Sequence, residues 1–139
     1  MTNIALLPYI SGSFTVATNS DWDDSIQFNQ PSPNETLPLD ISDIDFFAQL
    51  RASPVSPNIL MALSTINGLL INGGKAGTLT WNVPAYPRTT APFDNMRSLQ
   101  SAISPLVMDV VAVADGRVRN LFEKAGPASV SINPGVTLK

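Results

Sequence analysis

Met108-Asp-Val-Val-Ala-Val-Ala-Asp-Gly-Arg-Val-Arg-Asn-Leu-Phe122 places a run of small and β-branched residues, an Asp-Gly dipeptide and a second apolar segment within fifteen positions. Asp115-Gly116 supplies two residues that tolerate positive φ, as a two-residue type I′ turn requires, so the stretch reads as a β-hairpin. Its first arm runs from Leu106 to Ala114 and its second from Val118 to Phe122. A sheet-building segment of this kind ordinarily supports a site, yet no reactive side chains accompany it.

The same period of two recurs outward in both directions. Phe14 and Val16 alternate within 13–18, and Trp22, Ile26 and Phe28 within 22–28, where Asp24 interrupts the face. Ile44, Phe46, Ala48 and Leu50 share one side of 44–51, opposite Asp45, Phe47, Gln49 and Arg51, as in a strand with one wet side. Ile59, Met61, Leu63 and Thr65 repeat the pattern, followed by Leu69 and Ile71, by Leu79, Trp81 and Val83, and finally by 129–132. Asn67-Gly68 and Asn72-Gly73-Gly74 punctuate these runs with the residues that tight hairpins need. Short strands bounded by turn residues predict an all-β fold, an antiparallel sandwich of about seven to nine short strands. One segment has helical spacing: Phe93, Met96, Leu99 and Ile103 recur at steps of three and four between Pro92 and Pro105. A short helix near residues 93–103 is expected to plug one end of the sandwich.

Pro-rich connections at 30–33, 53–57 and 84–87 remove amide donors and stop the ladders, but they are too short to separate domains. Residues 1–12 form an apolar arm or a first strand, and 13–139 form a single domain. With 139 residues the chain can bury roughly two thirds of its unfolded surface. Charged residues make up 14% of it, against ~25% in an ordinary soluble domain, while 44% are apolar and Pro reaches 12. Such a weakly charged surface suits a subunit packed among others better than a free monomer.

Composition also narrows the chemistry. A net charge of -3 with eight scattered basic residues argues against a nucleic-acid partner. The chain has no His and no Cys, so the commonest proton shuttle and the thiolate nucleophile are both missing. Ile4 to Ile10 is apolar but lacks a preceding basic residue and is interrupted by Pro8, which makes a poor signal peptide. No apolar run approaches the ~18 residues of a membrane span, so a soluble chain without a membrane partner is expected.

Asp21-Trp22-Asp23-Asp24 and Asp40-Ile-Ser-Asp43-Ile-Asp45 are acidic clusters, but their spacing matches no EF-hand, and turn-capping carboxylates are the commoner outcome. Glu35 and Glu123 add no defined acid and base pair, and Lys75 and Lys124 sit at wet positions. Asn72-Gly-Gly-Lys-Ala-Gly77 has a strand after it where a phosphate loop needs a helix, and reads as a turn. No catalytic residue, metal, cofactor or small-molecule substrate is expected. Trp81 alternates with core positions; Trp22 and Tyr86 are the aromatic side chains that an exposed sugar-stacking platform would use.

The order of short motifs carries more. Pro38-Leu-Asp-Ile-Ser42 followed by Ala48-Gln-Leu-Arg51 resembles the "PIDLTG…AQIR" core of small bacteriophage and prophage virion proteins. Ser53 to Pro57, Leu63 to Gly68, Gly77 to Thr80, Met108 to Val110, Asp115 to Val118 and Ile132 to Thr137 resemble that family's later segments in the same order. The resemblance covers about residues 38–139. It departs at Met108, where a Tyr is usual, and in the longer stretches 87–104 and 124–127.

The resemblance implies an immunoglobulin-like sandwich and a structural role in the virion, as an adaptor in the tail, baseplate or fibre region or as a decoration protein on the capsid. Partners would be other virion proteins and copies of the chain itself, assembled in the bacterial cytoplasm. Ile4, Leu6, Leu7, Tyr9, Ile10 and Tyr86 are the expected contact residues. The arm would pack on a neighbouring subunit or pair with its sheet edge, so removing residues 1–10 would abolish assembly and spare the melt; a first strand of the chain's own sandwich is the alternative.

Overall fold

The computed structural model describes residues 3–89 and 94–137. Among the described residues nine strands are present: β1 (Ser13–Ala17), β2 (Ser25–Gln27), β3 (Asp45–Arg51), β4 (Met61–Ser64), β5 (Leu70–Asn72), β6 (Thr78–Trp81), β7 (Leu106–Ala114), β8 (Arg117–Asn120) and β9 (Ala128–Asn133). Helical structure among the described residues is confined to short 3-10 turns at Ile4–Leu6, Gly74–Ala76 and Met96–Leu99. The fold is therefore all-β.

The opening hairpin is its spine. Leu106, Met108, Val110, Ala112 and Ala114 alternate into the core along β7. One edge of β7 pairs with β3, from Asp45 opposite Val113 to Arg51 opposite Val107. The other edge is divided: Leu106–Met108 pair with β9 and Val111–Ala114 with β8. Asp115 and Gly116 take φ of 55° and 75°, so the two-residue turn has both central residues in the positive region that a type I′ turn demands.

The strands form a six-stranded sheet, in the order β1-β9-β7-β3-β4 with β8 beside β7, and a three-stranded sheet, β2-β6-β5. Pairing is mixed, where an antiparallel arrangement is the sequence expectation, because β1 runs parallel to β9 from Ser13 opposite Ser129 to Ala17 opposite Asn133. A parallel pair needs a long connection between its strands, and here nearly the whole chain supplies it. Alternation along each strand reports which side is buried and carries no record of the neighbour.

The two sheets share one core. Trp22 stacks on Trp81 at 5.9 Å, and Phe14 of β1 reaches Trp81 of β6 at 5.2 Å, while Phe28 stacks on Phe46 of β3 at 6.0 Å. Trp81 faces inward as its alternation requires. Trp22 is equally buried, at 2%, and so cannot be the exposed sugar platform considered above. Its indole N–H donates to Asp24 Oδ2 at 2.9 Å.

Three local expectations change. The helix near residues 93–103 is a four-residue 3-10 turn, Met96–Leu99; Met96 and Leu99 are buried, Ile103 is 86% exposed, and Phe93 lies outside the described residues. Asn67-Gly68 does not close a hairpin. It carries the chain from β4 in one sheet to β5 in the other, with Asn67 Oδ1 accepting from the Ser64 and Leu69 amides at 3.0 and 2.9 Å. In β5 the buried strand residue is accordingly Leu70, and Ile71 points outward. The 22–28 strand is interrupted, leaving a bridge from Trp22 to Val83 ahead of β2.

Among its described residues the N-terminal arm forms no strand. Its 3-10 turn packs on β7 and β8, burying Ile4 and Leu7 to 2% and 1% exposure in the chain's own core. Asn3 Nδ2 donates to the Asp40 carbonyl at 2.7 Å, and the Ile10 amide to the Leu121 carbonyl at 2.7 Å. Ile4 and Leu7, expected at a partner interface, are thus buried within the chain's own core, beside the β7–β8 hairpin.

Candidate docking surface

The outer face of the six-stranded sheet follows from the registers of β3, β7 and β8. Residues directly opposite one another share a side, so Asp45, Val113 and Val118 form one row, and Phe47, Val111 and Asn120 the next. Gln49 and Asp109 form a third row, and Arg51 and Val107 a fourth. Phe47, Val111 and Val113 are half-buried and Val118 is 70% exposed, giving an apolar stripe across three strands.

Beside the stripe the face becomes polar and concave. A depression of about 480 Å³ is lined by Gln49, Arg51, Pro54, Val107, Met108, Asp109 and Pro127. The β3–β4 connection forms one wall and Pro127 the other. Arg51 Nη1 donates to the Ser56 carbonyl at 2.7 Å and Nη2 to Gln49 Oε1 at 2.8 Å, which fixes the guanidinium along the floor. Asn120 Nδ2 donates to Asp109 Oδ2 at 3.0 Å, tying β8 to β7 across the same surface. Apolar stripe, positioned hydrogen-bonding groups and a concavity together suit the docking of another protein.

A second feature lies where the arm meets β8. The Arg119 guanidinium carbon sits 4.3 Å from the Tyr9 ring centre and Lys124 Nζ 5.3 Å from it, both within cation–π range. Ile4, Ala5, Tyr9, Arg117, Val118, Arg119, Asn120 and Glu123 line a groove of about 170 Å³ here. Three of the eight Lys and Arg residues, Arg117, Arg119 and Lys124, therefore gather at one corner, although they look scattered along the chain. Of the expected contact residues in the arm, Leu6 and Tyr9 are exposed and Ile10 is half-buried, and Leu6 lines a separate cleft with the 30–40 loop.

Tyr86 belongs to another neighbourhood. It is half-buried on the connection after β6, where the Ala85 amide donates to Asp21 Oδ1 at 2.7 Å and the Met96 amide to the Pro84 carbonyl at 2.8 Å. The six expected contact residues thus do not make one surface.

In the acidic clusters Asp40 caps a turn, while Asp21 holds a distant backbone amide and Asp24 an indole N–H. Besides the Asp21 and Asp24 bonds, Asp40 Oδ1 accepts from both the amide and the hydroxyl of Ser42, which hold the Asp40 carboxyl below its ordinary value of 3.8. No group of three or more carboxylates able to hold a metal ion occurs among the described residues. Lys75 lies in the exposed 3-10 turn of the Asn72–Gly77 segment, consistent with a turn. No helix among the described residues is long and apolar enough to cross a membrane.

Comparison with protein-family models finds no match, and no curated protein sequence matches the chain. The chain is thus defined by its own fold and surface: a two-sheet, all-β protein with a structured outer face.

Proposed function

We propose that the chain is a bacteriophage virion structural protein, a non-enzymatic adaptor of the tail, baseplate or fibre region that works by docking. Its two sheets around one core form an immunoglobulin-like sandwich in this reading. The outer face of the large sheet is the observation that carries it. Phe47, Val111, Val113 and Val118 offer apolar contact there, and the Gln49, Arg51 and Asp109 depression offers fixed hydrogen-bonding partners. The ordered motifs from Pro38 to Thr137 support a virion context. Other virion proteins are the partners, and the particle assembled in the bacterial cytoplasm is the location.

Crosslinking of particles made from the genome that encodes the chain tests this. The chain is expected in purified virions, joined through a photoreactive residue at position 113 or 118 to a tail, baseplate or fibre protein. Joining to the major capsid protein would relocate it as a decoration protein. Its absence from particles, or saturable turnover of a small molecule, would end the reading. Val118→Asp is expected to reduce incorporation at least tenfold while leaving the melt unchanged, because Val118 is largely exposed.

A further inference from the structure

We infer that copies of this chain associate head to tail, the basic edge of β8 in one copy receiving the acidic edge of β1 in the next. This lies beyond the docking role proposed above: it uses strand edges instead of the outer face and holds whether or not the chain belongs to a virion.

Among the described residues β8 pairs only with β7, and β1 only with β9, so each presents one unpaired edge. Unpaired edges are templates for an incoming strand, and proteins that keep them free of partners usually blunt them. These two edges carry opposite charge. The β8 edge opens into the 170 Å³ groove beside Tyr9, where Arg117 is exposed and the Arg119 Nε is buried without a hydrogen-bond partner. Lys124 adds a third cation at the same ring.

The β1 edge opens into a cleft of about 270 Å³ lined by Thr15, Ala17, Asp21, Asp23 and Asp24 among others. Asp23 is exposed. An occupant of charge opposite to the basic groove is therefore present on the chain: β1 is followed by Asp21, Asp23 and Asp24, of which Asp21 and Asp24 also accept bonds within the chain, whereas β8 carries Arg117 and Arg119 with Lys124 beyond its end. Because the two edges differ, the contact is heterologous, and repeating it builds a ring or a filament instead of closing as a twofold dimer.

Sedimentation of the purified chain tests the inference with two charge reversals at exposed positions, Arg117→Glu and Asp23→Arg. Both variants are expected to melt like the unaltered chain. The unaltered chain is expected to form species larger than a dimer at low salt, with an association constant falling at least tenfold in ~1 M salt, where the screening length shrinks to ~3 Å. Each variant alone is expected to stay monomeric. An equimolar mixture is expected to recover association, since Arg117→Glu retains the acidic edge and Asp23→Arg retains the basic edge.

A monomeric unaltered chain at all concentrations, or a mixture that stays monomeric, overturns the inference. So does self-association that survives either reversal, which would assign assembly to another surface such as the outer sheet face. None of these results bears on whether Val118 reaches a virion partner, so the two proposals fail separately.

Discussion

At the scale of single residues, two glycines separate two kinds of necessity. Gly77 and Gly116 both hold positive φ, at 72° and 75°. A side chain at Gly116 would meet open space, whereas a Cβ at Gly77 would lie 2.5 Å from the Phe28 carbonyl oxygen and 2.8 Å from that of Leu39. Gly77 sits where three stretches of backbone meet, the Phe28 amide donating to the Gly77 carbonyl at 2.7 Å and the Leu39 amide to the Phe28 carbonyl at 2.9 Å. Gly116→Ala is expected to cost about 1 kcal/mol, the penalty of the left-handed conformation alone. Gly77→Ala carries that penalty and must also part the backbones, so a total of about 3 kcal/mol or more is expected. Urea denaturation of the two variants checks the difference; equal losses would show that the close approach relaxes freely.

At the scale of elements, the arm and the hairpin depend on each other. With a two-residue turn Val113 stands opposite Val118, so once Ala112 and Ala114 face the core, Arg117 and Arg119 must face the same way and Val118 must face out. The inner side of β8 is thereby cationic; Tyr9 lies on Arg119, Arg117 stays exposed, and Ile4 and Leu7 are buried where the arm meets β7 and β8. Burial of two large aliphatic side chains contributes about 1.5–3 kcal/mol each before the cost of ordering the arm is subtracted. Deleting residues 1–10 is accordingly expected to lower the melting temperature by roughly 10 °C. This reverses the sequence expectation of an unchanged melt. Differential scanning calorimetry decides between them, and an unshifted transition would return the arm to a partner.

At the scale of the whole molecule, the sheets are coupled through rings that belong to both. Phe14 of the large sheet touches Trp22 and Trp81, and Phe28, following β2, stacks on Phe46. Neither sheet can separate without exposing the same aromatic cluster, so unfolding is expected to be a single cooperative transition. Thermal curves from tryptophan near-ultraviolet signals and from far-ultraviolet backbone signals should coincide. A tryptophan transition several degrees ahead of the backbone would mean that the three-stranded sheet detaches first.

Period-two alternation and turn chemistry, both local properties of the chain, determined by themselves that the fold is all-β, that Ile44, Phe46, Ala48 and Leu50 form an inner face, and that Asp115-Gly116 closes a hairpin. The outward position of Val118 follows from the two-residue turn, which sets it opposite Val113. The 3-10 turn at Met96–Leu99 was not distinguishable from a longer helix, since the spacing of buried residues is the same over one turn. Only the tertiary structure decided that β1 pairs in parallel with β9, that Asn67-Gly68 crosses between sheets, and that Arg117, Arg119 and Lys124 meet at Tyr9. The reason is physical: alternation records whether a side chain meets water, whereas pairing, crossover and charge convergence depend on which distant segments the shared core draws together.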